Sequence, residues 1–194
     1  MREPVADGGG KRELRAAILQ RRSDRSEDER AAAAAAIAAH LASAPFARAP
    51  RVAVYLSMGS EPGTGPLIEL LVARGTEVVV PVAAADGALD WVRYEPGAHL
   101  NRSGLGVLEP DGPRLGADAI AGVGLVIVPA LAVDHAGWRL GRGAGYFDRA
   151  LVHAGGPICA LVYADELLPA VPHEAHDVPV NLVVTESGIF RVPS

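Results

Sequence analysis

Cysteine is nearly missing from this 194-residue chain: a lone Cys159 excludes an internal disulfide framework and any metal site built on several cysteines. Long hydrophobic runs are missing too. The longest, Ala121 to Val133, holds about a dozen residues and is broken by glycine and proline, where a membrane-spanning helix needs about 20. No apolar leader follows Met1-Arg2-Glu3-Pro4, so the expectation is a reduced cytoplasm with no membrane partner. Aromatic residues make up 5%, and lysine is scarcer still, with Lys11 alone against 17 arginines. Alanine fills every position from 31 to 36, as expected of a compositional bias that turns surface lysines into arginines. A lysine that survives such a bias is there by chance or because a compact ammonium is required.

What is present is ordinary for a globular protein: 49% hydrophobic and 21% charged residues, which excludes wholesale disorder. The length suits one domain, and a fold of this size buries roughly 70% of its unfolded surface. A net charge of −5 argues against a nucleic-acid coat, which needs a broad basic face. Two short stretches run against that average. Lys11, Arg12, Arg15, Arg21 and Arg22 face only Glu13, and Arg139, Arg142 and Arg149 face only Asp148. Small basic islands in an acidic chain suit a small anionic ligand.

Residues 1–10 read as a flexible tail ending in three glycines, and 11–194 as a single domain. A first helix is predicted over Lys11 to Arg22, with Leu14, Ile18 and Leu19 on one face. Ser26-Glu27-Asp28-Glu29 is a capping-box pattern that opens a second helix to about Leu41. Arg51 to Leu56 reads as a strand, Pro66 to Arg74 as a helix stopped by Gly75, and Glu77 to Val80 as a buried strand ending at Pro81. Further strands are expected at Leu89 to Tyr94, Leu125 to Val128, Ile158 to Val162 and Leu182 to Val184, with a short helix from Tyr146 to Val152 and a last hairpin arm at Gly188 to Val192. This alternation predicts an α/β fold of three layers, α/β/α, with a mainly parallel, Rossmann-like sheet.

The densest chemistry lies in Arg139-Leu140-Gly141-Arg142-Gly143-Ala144-Gly145-Tyr146-Phe147-Asp148-Arg149, after a buried strand and opening a helix. Alternate glycines let the backbone approach a ligand and turn successive N–H groups inward as an anion nest. The helix start adds free N–H donors, and the arginines add fork geometry suited to phosphate. The spacing is neither that of a P-loop nor that of the dinucleotide fingerprint. A tight structural turn also explains a bare Gly-x-Gly-x-Gly; the two arginines and the following Tyr-Phe-Asp favour phosphate. Asp148 reads equally as a stabiliser of the helix dipole or as a Mg2+ ligand. His176-Asp177 has the look of a dyad but lacks a partner nucleophile and is expected to be structural. His135 and His153 read as surface residues, Cys159 as an inert core thiol, and Trp91 as core.

The run Val128-Pro129-Ala130-Leu131-Ala132-Val133-Asp134, followed by Gly137-Trp138 and the Arg139–Arg149 loop, closely resembles the signature of the 5-formyltetrahydrofolate cyclo-ligase (methenyltetrahydrofolate synthetase) family. The likeness covers nearly the whole chain: Lys11-Arg12-Glu13-Leu14-Arg15, Leu56-Ser57-Met58 with Glu61, Gly106-Val107-Leu108-Glu109-Pro110, and Pro172, Glu174, His176-Asp177 and Val183-Val184-Thr185-Glu186 each resemble a family segment. The resemblance implies conversion of 5-formyltetrahydrofolate to 5,10-methenyltetrahydrofolate with ATP and Mg2+. It implies that Lys11, Arg12, Glu13, Leu14 and Arg15 bind ATP together with Arg139, Leu140, Gly141, Arg142, Gly143, Ala144, Gly145, Tyr146 and Phe147. Leu56 and Glu61, with Arg142 to Tyr146, would meet the folate, and Lys11, Arg142 and Tyr146 would carry the chemistry. Asp148 and Asn181 would hold the metal, the family usually having aspartate where Asn181 stands. The same positions differ from family usage at Gly63, Ala144 and Phe147. A monomer or weak dimer is expected. The alternative implied by Asn181 is a non-catalytic relative that binds nucleotide or folate at a weakened metal site; fold analogy alone offers a sugar-phosphate isomerase.

Overall fold

The continuous apolar runs become the inner strands of one sheet buried on both faces. A computed structural model describes residues 8–84, 87–103 and 108–193. In chain order the elements are α1 (Gly8–Asp24), α2 (Glu27–Ser43), β1 (Arg51–Val54), α3 (Gly65–Ala73), β2 (Glu77–Ala83), β3 (Leu89–Arg93), β4 (Leu100–Arg102), β5 (Leu108–Pro110), β6 (Leu125–Pro129), β7 (Ala132–Asp134), β8 (Arg139–Leu140), α4 (Tyr146–Leu151), β9 (Ile158–Leu161), β10 (Leu167–Leu168), β11 (Leu182–Thr185) and β12 (Gly188–Arg191). The seven-stranded sheet runs β12-β11-β9-β6-β1-β2-β3. Its five inner strands are mutually parallel, and only the edges, β12 and β3, pair antiparallel.

Side chains alternate across this sheet and build two cores. Val52, Val54, Ile127 and Leu161 pack with Ile37 and Leu41 of α2 and Leu67 and Leu71 of α3. Ala53, Val126, Val128 and Ala160 face the other way, against Leu151 of α4 and Ile120 of a 3-10 turn. The three-layer α/β/α architecture is thus a consequence of strands that are apolar on both faces. The second helix starts as its sequence dictates: Ser26 Oγ accepts from Glu29 N (3.2 Å) and Ser26 N donates to Glu29 Oε2 (2.7 Å).

Three expectations are corrected. β2 does not stop at Pro81 but runs to Ala83. The outer half of β2 pairs only with β3, and Ala83 N, on the same side as position 81, donates away from that strand to Glu109 Oε1 (2.8 Å). Proline therefore breaks no ladder bond. α1 begins at Gly8, so residues 8–10 of the expected tail are helical, and the rest of the tail lies outside the described residues. Within α1, Ile18 is buried and Leu19 is exposed. The helix does not form part of either layer. It crosses the carboxyl ends of the strands, where Ile18 joins Leu131, Ala132, Leu140 and Val171 around a small second sheet, β10-β7-β8.

β1 is followed by α3 on one face and β6 by α4 on the other, so the chain changes direction between these adjacent strands. In open α/β sheets that point, beyond the strand ends, is where ligands bind.

Candidate active site

A cavity of about 380 Å³ opens at that point, a volume suited to a drug-sized ligand. Its walls come from places far apart in the chain. α1 contributes Lys11, Arg15 and Arg22; the loop after β1 contributes Leu56, Met58 and Glu61; the ends of β2 and β6 contribute Pro81–Ala83 and Pro129–Leu131. Glu109, the 139–148 loop, and Glu174, His176 and Asp177 complete it.

The loop after β1 is fixed by reciprocal bonds. Ser57 N donates to Thr64 Oγ1 and Thr64 N to Ser57 Oγ, both 3.0 Å, while Thr64 Oγ1 donates to Tyr55 O (2.9 Å). Met58 N donates to Glu61 Oε2 (2.8 Å), which leaves Glu61 Oε1 for Arg142 Nη2 at 3.0 Å. Glu61 is 8% exposed at its side chain and Arg142 53%, so a fixed buried carboxylate holds a solvent-facing guanidinium. Gly63 stands where a Cβ would come within 2.9 Å of Ala34 Cβ on α2, which accounts for its departure from family usage.

The glycine loop adopts the backbone its sequence calls for. Gly143 (φ 102°) and Gly145 (φ 68°) occupy positive-φ conformations that a side chain disfavours. Arg15 lies across the loop: Nε donates to Gly141 O (2.9 Å), and a Cβ at Gly143 would meet its guanidinium at 3.5 Å. Arg139 is buried and pairs with Asp148, while its Nε has no hydrogen-bond partner. Tyr146 lies 5.1 Å from the Arg149 guanidinium carbon, and Phe147 packs on both cores. On the facing wall Lys11 Nζ meets Glu174 Oε1 at 2.8 Å and Asp177 Oδ2 at 3.6 Å. That contact holds the Glu174 carboxyl below the usual carboxylate range.

The structure brings together Lys11, Arg15, Leu56, Glu61 and the whole run from Arg139 to Asp148. Arg12 and Glu13 are exposed outside the cavity lining, and Leu14 packs on the Ile18 cluster, so the first basic segment reaches the cavity through Lys11 and Arg15. Asn181 is not brought to Asp148. It precedes β11, level with Ile158 at the amino end of the strands; Asn181 Oδ1 accepts from Ile158 N (2.8 Å) and Asn181 N donates to Ile158 O (2.9 Å). Its amide braces two strands and is corrected from metal ligand to structural residue.

Asp177 has the structural part expected of His176-Asp177, and the pair also reaches the cavity. The pair lies on a turn at the cavity mouth, Glu174 N donating to Asp177 Oδ2 (2.7 Å), and both residues line the cavity. Glu109, Glu174 and Arg22 also line the cavity, though no role at the site was read for them from the sequence. For Arg22 a signal existed, since it continues the Leu14–Ile18 spacing of four. Gly106 and Val107 of the expected family segment lie outside the described residues. Cys159 and Trp91 are core as expected, and burial pushes the Cys159 thiol far up.

No group of three or more His, Cys, Asp or Glu is placed to hold a metal among the described residues, and no described helix is long and apolar enough to cross a membrane. The carboxylates of the cavity are Glu61, Glu109, Asp148, Glu174 and Asp177, and Mg2+ commonly takes one or two carboxylates with substrate phosphates and water.

The sequence matches the 5-formyltetrahydrofolate cyclo-ligase family over residues 7–186. It is 41% identical over 182 residues to a 5-formyltetrahydrofolate cyclo-ligase from Mycolicibacterium smegmatis, spanning 90% of this chain and 93% of that one. A 5-formyltetrahydrofolate cyclo-ligase from Escherichia coli is 32% identical over 152 residues, 76% of this chain and 84% of its own. The solved 5,10-methenyltetrahydrofolate synthetase of Aquifex aeolicus superposes with a TM-score of 0.80 at 30% identity, covering 95% of this chain and 93% of that one. The chain belongs to the 5-formyltetrahydrofolate cyclo-ligase family.

Proposed function

We propose that this protein converts 5-formyltetrahydrofolate and ATP to 5,10-methenyltetrahydrofolate, ADP and phosphate. A formyl amide oxygen is a poor leaving group. Transfer of the γ-phosphoryl group to that oxygen makes it expellable; N10 then attacks the formyl carbon, phosphate departs and the N10 proton is lost. Such chemistry asks a protein mainly to position reactants and neutralise charge.

One observation carries the reading. The 139–148 loop joins two other walls of the cavity, bonded on one side to Arg15 of α1 and on the other, through Arg142, to Glu61. Lys11, Arg15 and Arg139 would take phosphate oxygens, the first as a point charge and the others as forks. Leu56 and Glu61 would meet the pterin, whose ring N–H and amino donors match a carboxylate. Arg142 and Tyr146, on the loop that joins the two, would attend the phosphoryl group as it passes from one reactant to the other. Mg2+ held by Asp148 and Asp177 would neutralise phosphate charge. The alternative of a non-catalytic relative rested on Asn181, and with that amide bonded to Ile158 it has no support of its own. An isomerase would leave Lys11 and Arg15 without a role.

The test is direct. Purified protein with Mg-ATP and 5-formyltetrahydrofolate is expected to develop the near-UV absorbance of methenyltetrahydrofolate, and no ATP-dependent rise would sink the proposal.

A further inference from the structure

Arg22 belongs to none of the family segments recognised in the sequence, yet it is the most heavily bonded cation at the cavity. Its side chain is 1% exposed, as is that of Glu166. Nε donates to Glu166 Oε1 and Nη2 to Glu166 Oε2, each at 2.7 Å, and Nη2 donates again to Ala130 O at 2.7 Å. Ala130 lies in the turn between β6 and β7, on the cavity floor. Glu166 Oε2 also accepts from Tyr163 N (2.9 Å). The Tyr163 ring lies under Arg22 (5.6 Å) and Arg25 (4.1 Å), and its hydroxyl donates to Ser60 O (3.3 Å), next to Glu61.

We infer that Arg22, through its buried bidentate pair with Glu166 and its bond to Ala130 O, is a positioning residue that sets the angle of α1 over the cavity. The inference rests on the proposed function, in which Lys11 and Arg15 of that helix take the nucleotide phosphates. Burying an ion pair is a poor way to gain stability, because desolvation offsets the attraction and apolar residues of similar volume often serve as well or better. A fork held by two carboxylate oxygens and a carbonyl is directional where apolar packing is not. Ile18, the buried apolar anchor of α1, lets the helix rock; Arg22 does not. The lever is long. Lys11 lies about 16 Å up the axis from Arg22, so a tilt of about 10° displaces it by about 3 Å, a whole hydrogen-bond length. Through Tyr163 and Ser60 the same pair braces the Glu61 loop, so that both reactant surfaces are referred to one fixed point.

The test is the double variant Arg22→Met/Glu166→Leu, which removes both charges and fills their space. It is expected to fold with a denaturation midpoint at or above the parent's. Its KM for ATP should rise about tenfold or more with kcat changed far less, as misplacement of a binding group dictates. Amide exchange should quicken over residues 8–24 while β6 and β9 stay protected. Arg22→Lys keeps the charge and loses the fork, and a smaller rise in the same constant is expected; should the double variant not fold, this variant decides. A folded variant with the parental KM for ATP overturns the inference, as does a loss confined to kcat. The exchange measurement needs no turnover. Were the parent inactive with ATP and folate, the proposed function would fall, while unchanged exchange over residues 8–24 would separately overturn the role of Arg22.

Discussion

Most cations at the cavity already face acids: Lys11 with Glu174 and Asp177, Arg22 with Glu166, Arg139 with Asp148 and Arg142 with Glu61, while Arg15 bonds the Gly141 carbonyl. A triphosphate must therefore exchange partners rather than fill a bare positive hole, and the most exposed arginine is the one freest to do so. Arg142→Ala is expected to lower kcat/KM about 10²–10³-fold, as loss of one donor to a developing charge does. Its unfolding free energy should change by less than about 0.5 kcal/mol, because a half-exposed side chain adds little to the fold. Steady-state kinetics and urea denaturation of one preparation measure both. The metal assignment divides two residues that stand four apart in sequence. Asp177→Asn is expected to raise the Mg2+ concentration needed for half-maximal rate, whereas Asn181→Asp keeps its acceptor for Ile158 N and should leave the Mg2+ dependence unchanged. A Mg2+ titration of the two variants in which only Asn181→Asp shifts the curve would reverse that assignment.

At the scale of elements, local signals that compete with nothing are the ones that hold. The capping box fixed the start of α2 because Ser26 and Glu29 satisfy each other whatever packs on the helix. Ser26→Ala is accordingly expected to cost about 1 kcal/mol in thermal or urea unfolding while leaving kcat untouched, since no residue of α2 is among those that line the cavity. The inner strands were legible for a similar reason: a run such as Leu125–Val128 is apolar on both faces and has one place to go. The small sheet β10-β7-β8 was not legible, because strands of two or three residues carry no period. It is held by Asp134, whose Oδ1 accepts from Ala136 N and Trp138 N (both 2.9 Å) and whose Oδ2 accepts from Val171 N (3.0 Å), a contact across 37 positions that no local pattern encodes. Of the site, the glycine loop was readable because its backbone conformation is written in its glycines. That Asp177 also faces Lys11 was not legible, because the lysine stands at the other end of the chain.

For the whole molecule, the consequence is that the cavity is assembled from segments that the fold alone holds in register: α1, the 57–64 loop, the 139–148 loop and the 172–177 turn. A ligand that touches several of them at once binds the native state and has nothing comparable to bind in the unfolded chain. Stability and occupancy are then linked, with a gain of about 2.7 kcal/mol at a ligand concentration 100 times Kd. In a chain of this size each kcal/mol moves the midpoint by about 2–4 °C, so saturating Mg-ATP should raise Tm by about 5–11 °C. Lys11→Ala and Arg15→Ala each remove one of the phosphate contacts proposed for α1 and should shrink that shift. Lys11→Ala should leave the ligand-free midpoint near the parent's, Lys11 meeting only acids among the described residues, whereas Arg15→Ala also loses the bond to Gly141 O. Differential scanning fluorimetry with and without Mg-ATP measures it. A full shift in both variants would mean that the nucleotide does not rest on α1, and the placement of ATP between that helix and the glycine loop would have to be abandoned.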